Sequence, residues 1–114
     1  MDIIRHHKGT RMSQIVEHDN TVYLSGQVGY GDTVTKQTKS MLTSVDELLA
    51  EVGLDKSRIL SATIWLASMD DFVEMNEVWD EWIDPDNPPT RACGEAKLAT
   101  PDFLVEVIIV AAKK

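Results

Sequence analysis

The chain has 114 residues, a formal net charge of −8 and a single cysteine, Cys93. This length is typical of one domain, so we expect residues 1–114 to form a single domain. The acidic balance disfavours nucleic acid and anionic membranes as partners, because both bind mainly through clustered Lys and Arg.

One cysteine excludes an internal disulfide and a Cys-based metal framework, which favours a reducing compartment. The first residues lack the long apolar segment of a secretion signal, and no apolar run reaches the length of a membrane span. We therefore expect a cytoplasmic protein that does not enter a membrane.

Residues 1–10 are predicted to be a mobile N-terminal arm. Two strands follow, from Arg11 to His18 and from Thr21 to Val28, the second rich in β-branched and aromatic residues. Apolar residues then recur at helical spacing from about Thr35 to Val52, and Gly53 stands where a helix C-terminus favours glycine. This pattern predicts the first helix.

A β-rich segment, Arg58 to Ala67, predicts the next strand. The second helix is predicted to begin at Ser68 to Asp71, where a hydroxyl can cap it and carboxylates suit its dipole, and to run to Trp82. From Pro88 to Ala112 the chain is predicted to form two long strands joined by a short turn. Pairing as a hairpin would place Glu106 opposite about Gly94.

The predicted order is therefore ββαβαββ, an α+β fold with a mixed sheet and two helices on one of its faces. The strands Ile59 to Ala67 and Phe103 to Ala112 are apolar at both alternating sets of positions, which is typical of a sheet buried on both sides. Because no further helix remains to cover the second face, we expect self-association into a closed homo-oligomer.

Two charges in the last two strands are candidates for chemistry. Arg91 follows Pro88-Pro89, which fix the chain before it, and a guanidinium there can present a rigid fork of donors to a small carboxylate. Glu106 interrupts an apolar strand, so its carboxylate faces a cavity or is buried with a partner. Ser25-Gly26 opens a glycine-rich loop that is either a simple strand exit or a place where backbone N–H groups approach a ligand.

Other polar residues allow both structural and functional interpretations. Cys93 is either an inert buried thiol or a group that lines a site. Asn76, on the second helix, is either a satisfied polar residue or a ligand contact. The three tryptophans, Trp65 among them, are predicted to be core residues in preference to a platform for a ligand. No metal-binding motif occurs, so we expect no metal cofactor.

Several segments together resemble the RidA (YjgF-type) family of reactive-intermediate deaminases: VYLSGQV at 22–28, LLAEVGL at 48–54, DFVEMN at 71–76, and PTRACGEAKL followed by VEVIIVAA. The resemblance implies a homotrimer of chorismate-mutase-like subunits with a ligand cleft at each subunit interface and no cofactor. It also implies hydrolysis of enamine/imine intermediates to 2-keto acids and ammonia, as by a 2-iminobutanoate/2-iminopropanoate deaminase.

Carried over position by position, the resemblance implies a role for each matched residue. Arg91 would grip the substrate carboxylate, and Glu106 would hold or activate the attacking water. The backbone at Cys93 would border the site. Ser25 and Gly26 would line the cleft, and Asn76 would lie near the same interface.

The chain departs from the family pattern in ways that indicate a divergent branch. Thr10-Arg11-Met12 stands where the family has Gly-Pro-Tyr, and Gly94 stands where a β-branched residue is usual. These differences leave open a second function, a non-catalytic trimeric protein that binds small carboxylates or serves in stress response. A third interpretation, a ribonuclease or translation inhibitor, is disfavoured by the acidic balance.

Overall fold

A computed structural model describes residues 2–114 of the chain. It contains seven strands and two α-helices. In chain order they are β1 (Ile3–His6), β2 (Ile15–His18), β3 (Thr21–Leu24), β4 (Gln27–Val28), α1 (Val34–Glu51), β5 (Ile59–Leu66), α2 (Phe72–Trp82), β6 (Thr90–Glu95) and β7 (Val105–Ala112). The predicted order ββαβαββ is confirmed from β2 onward, except that the predicted strand Thr21 to Val28 is divided into β3 and β4.

All seven strands belong to one mixed sheet. Its order is β1-β2-β3-β7-β5-β6, and the short β4 pairs with β7 as well. The pair β5–β6 is parallel, whereas β7 runs antiparallel to β3, β4 and β5. The longest strands, β5 and β7, therefore form the centre of the sheet.

Both helices cover the same face of the sheet, as predicted. Alternate residues of the two central strands are fully buried on this face, for example Ile64 of β5 and Val107 of β7. α1 contributes Met41, Val45 and Leu49 to the same core. The opposite face carries no helix, and its side chains are only partly buried.

The predicted hairpin between the last two strands is wrong. β5 lies between β6 and β7, and Trp65 of β5 is in register with Gly94 on one side and with Glu106 on the other. The physical reason is the strand–helix–strand unit β5-α2-β6, whose crossover helix makes its two strands parallel neighbours. The segment 96–104 then carries the chain past β5 to the other side.

The N-terminal arm, predicted to be mobile, contains strand β1, which pairs with β2. His6 Nε2 lies 2.5 Å from Glu17 Oε2, and Lys113 Nζ lies 3.2 Å from Glu17 Oε1. The hydrogen bond with His6 and then the contact with Lys113 hold the pKa of Glu17 below its ordinary value. β2 itself begins only at Ile15, so residues 7–14 form the connection between the two strands.

Gln37 of α1 fixes the two loops that lead to the sheet near Glu106. Its Nε2 donates to the carbonyls of Gly31 at 3.0 Å and Asp102 at 2.8 Å, while its Oε1 accepts from the Leu104 N–H at 2.8 Å. The side chain is only 3% exposed. We call these three hydrogen bonds the Gln37 clamp. Because the clamp holds Leu104, which is two residues before Glu106, it sets where β7 begins.

We expect Gln37→Ala to lower the free energy of unfolding by about 2 kcal/mol or more, because it removes three hydrogen bonds and leaves buried backbone groups without partners. Urea denaturation followed by circular dichroism measures the change. The matched control is Thr43→Ala on the exposed side of the same helix, for which we expect a change within about 0.5 kcal/mol. Equal losses of unfolding free energy in the two variants would contradict the stabilising role of the Gln37 clamp.

Candidate functional site

Arg91 extends from the edge strand β6 on the side of the sheet that carries the helices. In the parallel register it lies opposite Ala62, whose side chain is buried under the helices. The guanidinium carbon lies 5.3 Å from the ring centre of Trp79 and 6.0 Å from that of Phe72, both on α2. These distances allow cation–π attraction, which orients the group without using its N–H donors.

The Arg91 guanidinium has no ion-pair or hydrogen-bond partner among residues 2–114. Its planar fork of donors is therefore held by two aromatic rings and left available for an anion. Such a fork matches the geometry of a carboxylate.

Asn76 lies on α2 four residues after Phe72 and three residues before Trp79, so it shares a side of the helix with the two rings beside Arg91. Its Oδ1 is buried and accepts no hydrogen bond within residues 2–114. A buried amide oxygen without a donor is costly unless a ligand or another chain supplies one.

Cys93 lies on the same side of β6 as Arg91, because it pairs with the buried Ile64. Burial raises the pKa of its thiol, and the positive charge of Arg91 opposes the shift only in part. The thiol is therefore protonated at neutral pH, and this environment does not activate it as a nucleophile.

Glu106 lies on the opposite, open face of the sheet. Its cross-strand neighbours are Trp65 of β5 and Val28 of β4. A Cβ placed on Gly26 would come within 3.0 Å of both Cδ and Oε2 of Glu106. Glycine at this position therefore lets the carboxylate pack directly against the backbone of the loop between β3 and β4.

Ser25 holds that loop in place. Its hydroxyl donates to the Ser13 carbonyl at 2.5 Å, and its backbone N–H donates to the Gln14 carbonyl at 3.0 Å. Both donors of Ser25 are thus occupied within the chain, and its contact with a substrate stays a prediction. Glu106 itself makes no ion pair or hydrogen bond within residues 2–114, so its carboxylate is free to act on a ligand or a water.

The candidate residues therefore form two groups that one chain does not bring together. Arg91, Cys93 and Asn76 belong to the helix side of the sheet and its β6 edge, whereas Glu106 belongs to the open face beside Gly26. Five surface cavities of 260 to 590 Å³ lie elsewhere, and none is lined by Arg91 or Glu106.

Three aromatic residues of this region were not predicted as site residues. Phe72 and Trp79 are seven residues apart on one helical stripe, and that spacing is the sequence signal that could have placed them together beside β6. Trp65, predicted to be core, instead lies half-buried on the open face next to Glu106. Its alternation with the buried Ile64 and Leu66 could have indicated this.

Among residues 2–114, no group of three or more His, Cys, Asp or Glu side chains is placed to hold a metal ion. Neither described helix is both long and apolar enough to cross a membrane.

Comparison with known proteins shows similarity along the whole chain. The family model described as Endoribonuclease L-PSP matches residues 6–113. The chain is 44% identical over 114 residues to a RutC family protein of Haemophilus influenzae, covering 97% of this chain and 98% of the relative. It is 40% identical over 113 residues to the RutC family protein YoaB of Escherichia coli, covering 98% and 99%.

Among solved structures, a YjgF family protein from Neisseria meningitidis superimposes with a TM-score of 0.98 at 43% sequence identity, covering 100% of this chain and 97% of that one. The two helices on one face of the mixed sheet are those of a chorismate-mutase-like α+β subunit. The match over nearly the full length shows more than a shared fold. The chain belongs to the RidA/YjgF family.

The raised pKa predicts how the Cys93 thiol reacts. Because only the thiolate is nucleophilic, we expect alkylation by iodoacetamide to be slow at pH 7.5 and its rate still to be rising above pH 9, beyond the ordinary thiol pKa of about 8.5. Arg91→Ala should slow the reaction further at pH 8, because it removes the nearby charge that favours the thiolate. A rate that levels off below pH 8 would contradict the assignment.

Proposed function

We propose that this protein is a cofactor-free hydrolase that converts reactive enamine or imine intermediates to 2-keto acids and ammonia. The proposed site is a cleft between two subunits of a homotrimer. The observation that carries the proposal is the pair of unpartnered charges, Arg91 and Glu106, on opposite faces of one sheet. Family membership supports the same reaction class.

Each group has one task in this reaction. The substrate carboxylate binds the free fork of Arg91, which fixes the position of the C=N bond. Glu106 orients a water molecule and takes one of its protons as the oxygen attacks the imine carbon. The nitrogen is protonated, the carbon–nitrogen bond breaks, and the C=O bond of the keto acid forms as ammonia leaves.

The reaction requires little beyond positioning. Imines hydrolyse in water without a catalyst, so holding water and substrate in contact supplies a large part of the needed acceleration. A half-buried carboxylate without a fixed partner suits general base catalysis, because its acceptor oxygens are available. The protonated thiol of Cys93 leaves no nucleophile on that strand to compete with water.

A second copy of the chain would complete the site. The open face bears apolar side chains such as Ile108 and Val110, which a neighbouring subunit would cover. A head-to-tail ring would also place the Arg91 edge of one subunit against the Glu106 face of the next, and three subunits close such a ring. This arrangement would supply a partner for the buried Oδ1 of Asn76 as well.

The direct test is turnover of an imino acid generated in the assay by an amino acid oxidase. We expect the wild type to accelerate release of ammonia and 2-keto acid, and Arg91→Ala to lose at least about 100-fold of that rate, because the carboxylate is no longer positioned. Arg91→Lys is the matched control and should retain part of the rate, since it keeps the charge without the fork. Equal rates for wild type and Arg91→Ala would remove the proposal.

Mixing two inactive variants tests whether the site spans two subunits. In trimers assembled at random from Arg91→Ala and Glu106→Gln chains, about a quarter of the interfaces would pair an intact Arg91 with an intact Glu106 in a head-to-tail ring. We therefore expect co-refolded mixtures to regain roughly one quarter of wild-type activity. Each variant refolded alone is the control, and light scattering checks the trimer mass.

No recovery in mixtures of confirmed trimers would mean that both residues act within one chain. A stable monomer would contradict both the trimer and the shared cleft.

Two other functions would give distinct results. A non-catalytic carboxylate-binding protein would bind 2-keto acids through Arg91 but release no product. Endoribonuclease activity, which the description of the family model suggests, is disfavoured by charge: positions 70–86 hold eight acidic residues and no Lys or Arg. The cytosolic location stays a prediction from the sequence.

A further inference from the structure

One row of residues crosses the open face beside the proposed catalytic carboxylate. In the sheet register, Gly94 of β6 lies beside Trp65 of β5, and Trp65 lies beside Glu106 of β7. Directly paired residues point to the same side of a sheet. Trp65 is therefore the side-chain neighbour of Glu106 on the β5 side, and Gly94 is the next position in the row.

The indole of Trp65 leans towards Gly94. A Cβ built on Gly94 would lie 3.1 Å from Cζ3 and 3.6 Å from Cε3 of Trp65, so the six-membered ring covers the bare backbone of β6. The first distance is shorter than ordinary van der Waals contact. A side chain at position 94 would push the ring away from β6, and a β-branched side chain would push it further.

Two more observations show that this ring borders accessible space. Trp65 is half-buried in the single chain, unlike its neighbours Ile64 and Leu66, which are fully buried. Its indole N–H makes no hydrogen bond within residues 2–114, and that nitrogen is not among the buried polar atoms without a partner. The indole therefore presents an accessible apolar surface next to the Glu106 carboxylate.

We propose that the indole ring of Trp65, which can lie against β6 because Gly94 has no side chain, binds the apolar side chain of the substrate. This inference rests on the proposed function, because it places the reacting carbon next to Glu106. The substrate class it names is imino acids with large apolar side chains, in preference to those with a single methyl group.

The reasoning is geometric. A substrate whose C=N carbon faces Glu106 and whose carboxylate binds Arg91 of the next subunit has its side chain as the remaining substituent. The surface beside Glu106 on β5 is the indole, so a longer apolar chain gains contact with it. Extra methylene groups in an apolar pocket are each worth about tenfold or more in affinity when they are fully enclosed.

The test compares the binding of two 2-keto acids, which are product analogues that need no turnover. Calorimetric titration with pyruvate and with 4-methyl-2-oxopentanoate gives the ratio of their dissociation constants. We expect the wild type to bind the larger acid about tenfold or more tightly. Gly94→Val should lower this preference to about one, because the displaced ring fills the space that the larger side chain uses.

Two variants separate this effect from general damage. Gly94→Ala requires the ring to move by only a few tenths of an ångström, so we expect an intermediate preference in a protein that folds normally. Ala92→Val adds bulk to the same face of β6 but next to Thr63, and it should leave the preference unchanged.

Each outcome has a defined meaning. An unchanged preference in Gly94→Val, an equal loss in Ala92→Val, or equal binding of the two acids by the wild type would overturn the role of Trp65 while leaving the deaminase proposal intact. Failure of the wild type to bind either acid would overturn both. Retained binding of pyruvate by Gly94→Val, with loss of the larger acid alone, supports the inference.

Discussion

The position of β5 between β6 and β7 is the constraint on which the rest of the structure depends. Side chains alternate across a sheet, and the register of β5 with its two neighbours therefore decides which face each candidate residue occupies. Arg91 is in line with the buried Ala62, whereas Glu106 is in line with the half-buried Trp65. A shift of either register by one residue would exchange the two faces.

This separation explains why both charges lack partners inside the chain. Even a hairpin pairing with Glu106 opposite Gly94 would leave the Arg91 and Glu106 side chains on opposite faces, because Arg91 is three residues from Gly94 and side chains alternate along a strand. The intervening β5 places one more strand between them. Arg91 instead rests against Phe72 and Trp79, which orient a cation without neutralising it.

Much of the fold could be predicted from the sequence. The helical periodicity of Met41, Val45 and Leu49 located α1 within about one residue at each end, and the φ angle of +75° at Gly53 agrees with a helix that ends in glycine. Most segments were right, but β1 was missed, β2 begins four residues later than predicted, and the pairing of the last two strands was wrong. Periodicity reports which residues face a core, whereas pairing depends on the crossover that β5-α2-β6 makes, and the rule for such units would have placed β6 beside β5.

For the site, the sequence could identify residue types but not their grouping. Arg91 and Glu106 stand out as charges in apolar surroundings. The alternation of Trp65 with Ile64 and Leu66 indicates its face, but its place beside Glu106 depends on how β5 pairs with β6 and β7. Strand β1 is also hard to predict from the sequence, because Ile3 and Ile4 are exposed and do not mark a buried face. His6, at the end of the strand, is held by a side-chain contact with Glu17 that the sequence pattern does not reveal.

A divided site would give the proposed assembly a second role besides covering apolar surface. In the isolated chain, Arg91 and Glu106 each face solvent, where charge interactions are weak because water screens them. Closing the cleft with a second subunit would bring the two charges to one substrate and exclude water at the same step, so that each interaction strengthens as the geometry forms. Residues such as Trp65 and Gly94 contribute neither charge and take no part in proton transfer. In the proposed site they would therefore set the size of the substrate without altering the chemistry.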